Sequence, residues 1–549
     1  MKSARRSTWF VVSAILVCAL LGGVYGRQVE ATTGGTNSTG IRASLKKFTR
    51  VYGAVEANYA TPVNPNTAIY GPMPNTPLGA IPGMLRTLDP HSTFFDPQAF
   101  AQLQQDQEGH YFGVGMQIIG KPGKMGQLET YVLAPIPGSP AFRAGIRPGD
   151  MIAAVDGKST SGMSVDQVAH RLLGPKGTVV HITIIRRGWS KPLQFTITRE
   201  EISQKSVDAA FLLAPHVAYI HINKFDETTN RELARDLKKL DEDHLRGLVL
   251  DLRNNPGGLL EQAVEVADHF LKKGQLIVYH YGRASREKRY YAVHGDSGNR
   301  YPIVVLINHM TASAAEIVTG SLQDHDRALV MGQTSFGKGL VQTVFPLSDN
   351  TGLALTTAHY YTPSGRLIQR PYNDMSLYDY YYYPKHIPRK DREIRYTDGG
   401  RPVYGGGGIT PDVKVPPVKL TPPEQLLADS NAYFDFAQDY LGVHKTVPQD
   451  FQVTGKVMQS FYRFLAKKGI PVTPPSIAGN LSYVKEQMRV QLVGMIYGQN
   501  VAEKIEIEND PLVQDAVAHL GQAQALMENP RKYMASMAHH ARAHDRPAE

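Results

Sequence analysis

Between residues 217 and 355 the chain alternates apolar runs of strand length with amphipathic runs of helix length, and few folds accept that pattern. "VAYIHI", "LRGLVLDLRNN", "PIVVLINH" and "RALVMGQ" read as strands. "TTNRELARDLKKL", "GGLLEQAVEVADHFL" and "SAAEIVTGSLQDH" carry helical apolar spacing between them. Such alternation predicts a layered α/β core, a sheet with helices packed on it.

The flanks differ in texture. Residues 27–40, "RQVEATTGGTNSTG", form a polar linker, and Leu45, Phe48, Val51, Tyr52 and Val55 begin a helical repeat. "LGAIPGMLRTLDPHS" reads as a helical docking piece, with Asp89 and His91 in a structural turn and no metal role. From 109 to 199 short strands are punctuated by glycine, with "SVDQVAHRLL" as one helix. Residues 371–404, including "YDYYYYP", interrupt the core as a polar, aromatic surface flap expected to pack on itself. After "GGGGITPDVKVPP" the chain turns helical, and the tail "HHARAHDRPAE" reads as frayed rather than as a metal site. A chain of 549 residues is expected to hold two to four domains. The boundaries fall at 1–26 (export segment), 27–41 (linker), 42–108 (helical start of the core), 109–199 (strand-rich domain), 200–420 (core with the insertion) and 421–549 (accessory helical extension).

Lys2, Arg5 and Arg6 precede "WFVVSAILVCALLGGVYG", which reads as an export signal, either cleaved or kept as an anchor. The rest of the chain then lies on the far side of a membrane, periplasmic or otherwise extracytoplasmic, with membrane association through this segment. The single cysteine, Cys18, lies inside it, so beyond residue 26 there are no disulfides, thiolate metal sites or cysteine nucleophile. The net charge of +9 is mild for this length and no Lys/Arg block is interleaved with aromatics, which argues against nucleic acid as a partner. No motif calls for a metal or an organic cofactor.

The chemistry centres on "TASAAE", residues 311–316, which follows the apolar run "IVVLIN" directly. A turn between a strand and a helix projects one side chain, and the first helix amides can stabilise an oxyanion. Ser313 and Thr311 both qualify as the projected nucleophile, and either needs a base. His309 stands at a strand end, His325 lies between two aspartates, and Lys338 lies between two glycines in "TSFGKGLVQ". The phosphate-loop pattern is not met, because Gly339 stands where Ser or Thr is needed. A lysine serves as a general base when a dry pocket lowers its pKa, so Lys338 is a candidate beside an ordinary structural role.

Two resemblances narrow these readings. "FGVG" (Phe112, Gly113, Val114, Gly115) with "AGIRPGDMIAAVDG" resembles a PDZ domain, in which such a loop captures the carboxylate of a peptide C-terminus. "LVLDLRNNPGGLLEQAVEVADHFL", "NHMTASAAE", "GQTSFGKGLVQ" and "YYTPSGRLIQ", in that order, resemble the carboxyl-terminal processing peptidases, serine peptidases with an embedded PDZ domain. The resemblance runs from about residue 42 to 415. It implies a crotonase/ClpP-like layered core, Ser313 as nucleophile, Lys338 as general base and Gln342 as the residue orienting the lysine. It also implies an oxyanion hole of the Ala314 N–H with the Gly257 or Gly258 amide. Glu316 is expected to support the helix start. The expected partners are unfolded or C-terminally tagged proteins, and a homo-oligomer is compatible with the sequence. A catalytically silent PDZ scaffold and an acyl-CoA enzyme are the competing readings; the first needs a broken dyad, and export argues against the second. The chain departs from the family pattern in the 371–404 insertion, in the helical extension and in Leu173, where many relatives carry arginine. That last difference puts a PDZ-linked activation switch in doubt.

Overall fold

The computed structural model describes residues 38–71, 79–123, 126–298, 300–373, 375–382 and 391–536. The export segment at 1–26 with Cys18, most of the expected linker and the tail from 537 lie outside the described residues. No helix among the described residues is long and apolar enough to cross a membrane. Residues 1–83 and 84–549 are two compact units. The first contains α1 (Ser38–Asn58), which begins within the expected linker, and α2 (Pro65–Tyr70). Asn64 caps α2, its Oδ1 accepting the Asn66 N–H at 2.9 Å, and Pro65 occupies the first turn where an N–H is not needed.

The second unit opens with β1 (Thr93–Phe95) and α3 (Pro97–Glu108). A strand-rich domain follows: β2 (His110–Gly113), β3 (Met116–Pro122), β4 (Leu128–Pro135), β5 (Met151–Val155), α4 (Val165–Leu172), β6 (Val179–Ile185), β7 (Leu193–Thr198) and β8 (Glu200–Ser203). Its sheet runs β3-β4-β5-β6-β7, all antiparallel, and β2 pairs with β8 to bring the chain back to its point of departure. Alternate residues point inward, so Val180, Ile182 and Ile184 of β6 join Val132 and Val155 in one core.

The layered core comprises β9 (Val207–Ala214), β10 (Val217–Ile222), α5 (Thr229–Lys239), β11 (Gly247–Asp251), α6 (Leu260–Asp268), β12 (Leu276–Tyr281), β13 (Lys288–Tyr291), β14 (Ile303–Ile307), α7 (Ala314–Asp324), β15 (Ala328–Gly332), β16 (Leu340–Pro346) and β17 (Gly352–Tyr361). Beyond it come α8 (Leu377–Tyr382), β18 (Ile394–Tyr396), β19 (Pro402–Tyr404) and β20 (Val413–Lys414). The main sheet runs β9-β10-β11-β14-β15-β20, antiparallel at β9–β10 and parallel elsewhere. Every residue of β11, β14 and β15 is buried, which is why these strands read as unbroken apolar runs. A second sheet, β1-β17-β12-β13 with β16 on β17, is antiparallel.

One face of the main sheet, with Leu248, Leu250, Ile303 and Val305, packs on α5, α6 and α7. The other face, with Val249, Val304, Leu306 and Leu329, would meet water if the core ended at residue 420. It is covered instead from the far end of the chain, which corrects the expectation of a wholly accessory extension. Of α9 (Pro422–Asp429), α10 (Ala432–His444), α11 (Gly455–Lys468), α12 (Leu481–Tyr497), α13 (Gln499–Glu508), α14 (Pro511–Ala518) and α15 (Leu520–Glu528), the first four share their own aromatic core around Phe436, Phe461 and Leu465. The last two press Val513, Ala516, Leu520, Ala523 and Leu526 onto the sheet. A Cβ at Gly247 would stand 2.6 Å from Leu520 Cδ1, so a glycine at the head of β11 lets α15 approach. The strand-rich domain is tied to α10 by Lys121 Nζ, 2.7 Å from Asp435 Oδ1 and 4.2 Å from the Phe434 ring centre.

The C-terminal end of α7 is anchored by Arg366, which is wholly buried. Its Nη2 donates to Asp324 Oδ1 at 2.7 Å and to Gln323 Oε1 at 2.8 Å, a cation at the negative pole of the helix. Replacing it with methionine leaves Asp324 buried without its counter-charge. Arg366→Met is expected to lose about 3–5 kcal/mol of stability, read as a shift of the urea unfolding midpoint at unchanged slope.

Candidate active site

Ser313 is the residue at which β14 turns into α7. Its backbone sits at φ 54°, ψ −117°, a conformation few non-glycine residues adopt, and its surroundings hold it there. The Ala312 N–H donates to Asn255 O at 2.9 Å. Gly257 lies so close that a Cβ would meet Ser313 Cβ at 2.6 Å and Ala314 N at 2.9 Å. Ala312, Ala314 and Ala315 are buried while Ser313 is partly exposed, so the small residues let the turn sink and leave one hydroxyl outward.

Thr311 is no longer an equal candidate. It is fully buried, its Oγ1 donates to Leu252 O at 2.8 Å and accepts the Asn308 N–H at 2.9 Å, and it thereby staples the turn to the end of β11. The two histidines are committed elsewhere. His309 Nδ1 faces Gln333 Oε1 at 3.2 Å. His325 caps the opposite end of α7, an 11-residue helix and hence about 16 Å long, and bonds Asp398 Oδ2 and Leu276 O, both at 2.7 Å.

Lys338 lies against the Ser313 turn. Glu316 Oε2 accepts the Ser313 N–H and the Lys338 N–H, each at 2.9 Å, and Tyr360 Oη shares its single proton between Ser313 O, at 3.1 Å, and Lys338 O. The other Glu316 oxygen accepts the Gly337 N–H at 2.8 Å and the Ser335 hydroxyl at 2.5 Å. Glu316 therefore does more than support a helix start: it clamps the Ser313 turn to the Lys338 loop. Burial pushes its carboxyl up to about 7, against four donors that favour the ionised form. Burial also pulls the Lys338 ammonium below its ordinary range, opposed by the charges of Asp89 and Glu316.

Lys338 Nζ donates to Gln342 Oε1 at 3.0 Å. The register of β16 slips between Val341 and Gln342, a bulge that re-aims the glutamine side chain. Its amide donates to the His91 carbonyl at 2.5 Å. Asp89 Oδ1 closes the turn at 89–92, accepting the His91 and Ser92 N–H groups, both at 2.7 Å. The turn is structural, as expected, yet it delivers a carbonyl to the site. Nothing local in "DPHS" announces that role, because its partner lies far along the chain.

The 371–404 insertion corrects a second expectation. Tyr378 and Tyr382 are exposed and meet each other with tilted rings, but Tyr380 is 1% exposed and packs on His91 and Phe336, 5.5 and 5.6 Å between ring centres. A large ring beside other aromatic rings gains more from burial there than on a solvated flap.

Of the two candidate oxyanion glycines, Gly257 gives its N–H to Asn255 Oδ1 at 2.8 Å, whereas Gly258 is exposed. Phe112, Gly113, Val114 and Gly115 lie apart from Ser313, where β2 passes into β3. Gly115 has φ 76°, and its carbonyl accepts the Ser139 hydroxyl at 2.7 Å. A cavity of about 600 Å³ there is lined by Val114, Met116, Ile118, Ala169 and Leu172 on one side and by polar and charged groups, Gln102, Lys205, Asp208 and Glu503 among them, elsewhere. Among the described residues no cluster of His, Cys, Asp or Glu could hold a metal ion.

Comparison with known proteins bears on this geometry. Residues 216–374 match "Peptidase family S41", residues 131–186 match "PDZ domain", beginning after the Phe112–Gly115 loop, and residues 424–478 match "Probable PDZ-protease, C-terminal helical domain". The chain is 37% identical over 369 residues to the carboxy-terminal-processing protease of Bartonella bacilliformis, covering 66% of this chain and 80% of that one. It is 42% identical over 288 residues to the carboxyl-terminal-processing protease of Synechocystis sp., covering 52% and 66%. Among solved structures, the photosystem II D1 C-terminal processing protease is 31% identical over 62% of this chain and 81% of that one, with a TM-score of 0.34.

The clamp is testable without any substrate. Glu316→Gln puts an NH₂ group where backbone N–H donors converge and leaves at least one of them unmet. The expected cost is about 1–3 kcal/mol, measured by chemical denaturation, with loss of cleavage activity; unchanged stability would dismiss the clamp.

Proposed function

This chain belongs to peptidase family S41, and on that footing we propose that it is an exported serine endopeptidase that cuts proteins near their C-termini through a Ser313–Lys338 dyad. The observation that carries the dyad is the shared carboxylate: Glu316 binds the N–H of both residues, so nucleophile and base ride on one rigid junction.

Neutral Lys338 takes the Ser313 proton as Oγ attacks the scissile carbonyl carbon, and the resulting ammonium returns a proton to the leaving amine. Water then repeats the cycle on the acyl-enzyme. Burial of the ammonium supports a lysine that is neutral at a useful pH. Among the described residues Ser313 Oγ makes no hydrogen bond to Lys338 Nζ; such contacts commonly tighten only when substrate closes the site. The tetrahedral oxyanion is taken up by the Ala314 N–H at the head of α7 together with Gly258 N–H, because Gly257 N–H is held by Asn255. Gln342 keeps the lysine amine oriented.

The core is read as crotonase/ClpP-like, a sheet layered between helices. Substrate reaches it from the PDZ domain. There the chain end adds as a strand beside β3, an edge strand, its carboxylate meets the 112–115 loop, and its last side chain enters the groove of Met116, Ile118, Ala169 and Leu172. Holding the chain by its end raises its local concentration at the dyad. Lys2, Arg5 and Arg6 ahead of the apolar run support export, with the segment cleaved or retained as an anchor.

The test is cleavage of β-casein, an unstructured protein, by wild type, Ser313→Ala, Lys338→Ala and Lys338→Arg. All three substitutions are expected to abolish turnover, arginine because it cannot give up its proton; cleavage that survives them removes the dyad. A wild type that binds C-terminal peptides without cutting any protein would leave a binding role instead. For the active enzyme kcat/KM is expected to rise with pH, because the base works unprotonated. Its midpoint should fall below the ordinary lysine value of about 10.4.

A further inference from the structure

We propose that the 371–404 insertion supplies a positioning residue to the active site: Tyr380 fixes, through His91 and Gln342, where the Lys338 amine stands. This rests on the dyad reading above and adds to it a part that the family's own motifs do not contain.

The contacts form a directed chain. Gln342 must turn its carbonyl oxygen toward Lys338 Nζ, at 3.0 Å, so its NH₂ needs an acceptor on the other side, and the His91 carbonyl is that acceptor. The position of that carbonyl depends on the His91 ring, which is held at both nitrogens. Nε2 meets Tyr380 Oη at 3.0 Å and Nδ1 meets Tyr381 Oη at 3.3 Å. Tyr381 Oη donates to Pro90 O at 3.1 Å, so it accepts from Nδ1–H. Nε2 is then the acceptor, and Tyr380 Oη donates to it while accepting from Gln369 Nε2 at 3.3 Å. A neutral imidazole satisfies every link. Burial, with the charge of Lys338, keeps the ring neutral by depressing its pKa to about 3.

The segment that leads into the insertion brackets the lysine's backbone. Gln369 Oε1 accepts the Gly339 N–H at 2.8 Å, and the Arg370 N–H donates to Gly337 O at 2.9 Å. The Arg370 guanidinium lies over Phe336, 3.7 Å from its ring centre, and over Tyr380 at 4.3 Å, and it donates to the Tyr380 carbonyl. The segment leading into the insertion thus holds both glycines that flank Lys338, and Tyr380 closes the arrangement from outside. The charged groups facing this network are Asp89, Glu316, Lys338 and Arg370.

The experiment compares full-length wild type, Tyr380→Phe, Gln342→Ala and the double variant on β-casein, with Ser313→Ala and Lys338→Ala alongside. Tyr380→Phe keeps the ring and removes only the hydroxyl. Its kcat is expected to fall at least tenfold with KM within twofold. The midpoint of its pH–rate profile is expected to move toward the ordinary lysine value, as a loosened site admits water to the amine. In the Gln342→Ala background the same change is expected to cost nothing further, because the path it acts through is gone. Unchanged kcat and midpoint in Tyr380→Phe, or additive losses in the double variant, would overturn the inference. If Tyr380→Phe does not fold by circular dichroism, Tyr381→Phe carries the test through the other ring nitrogen: a smaller alkaline shift supports the inference and no shift overturns it. Turnover that survives Ser313→Ala and Lys338→Ala sinks the dyad itself. Their inactivity beside a silent Tyr380→Phe removes only the role given to Tyr380.

Discussion

One buried carboxylate joins everything the site needs. Glu316 leaves the first turn of α7 and meets donors from two segments that share no secondary structure, the Ser313 turn and the loop between β15 and β16. A group so deeply buried is tolerable only while its oxygens are satisfied, so neither segment can drift without exposing an unmet charge or donor. That coupling also keeps Ser313 in a backbone conformation it would not choose alone.

The environment of Lys338 is a balance rather than a simple desolvation. Burial lowers the affinity of its amine for a proton, while the nearby charges of Asp89 and Glu316 raise it. A base needs both influences. Without burial such an amine stays an ammonium, and the carboxylates, with the Gln342 carbonyl oxygen 3.0 Å from Lys338 Nζ, favour its protonated form. The charges that set this balance come from the turn at 89–92 and from α7. The site is therefore an assembly of distant pieces held on a rigid sheet.

The same logic governs the domains. A mostly parallel sheet must be covered on both faces, and the α5, α6 and α7 helices cover one. The last helices of the chain cover the other, so the extension that carries α9–α12 beside the strand-rich domain is fixed to the core at its far end. Lys121 and Asp435 then pin that domain to α10. The cavity beside β3 and the turn at Ser313 accordingly sit on parts of one tied framework.

Much of this could be read along the chain. The buried strands β11, β14 and β15 announce themselves because their neighbours bury both faces, and "TASAAE" announces a turn because only small residues let it sink. Local pattern also placed Lys338 between glycines whose amides are needed for bonds. Contacts across long separations leave no such trace. "DPHS" has the look of any tight turn, "YDYYYYP" that of any polar flap, and α14 and α15 that of any amphipathic pair. Their partners, Gln342, His91 and the second face of the sheet, lie tens to hundreds of residues away. The sequence by itself determined the elements, the strained turn and the chemistry available at it. Only the tertiary structure decided which carboxylate clamps the Ser313 turn to the Lys338 loop, which face each helix covers and which tyrosine meets His91, because those choices depend on distances that folding alone creates.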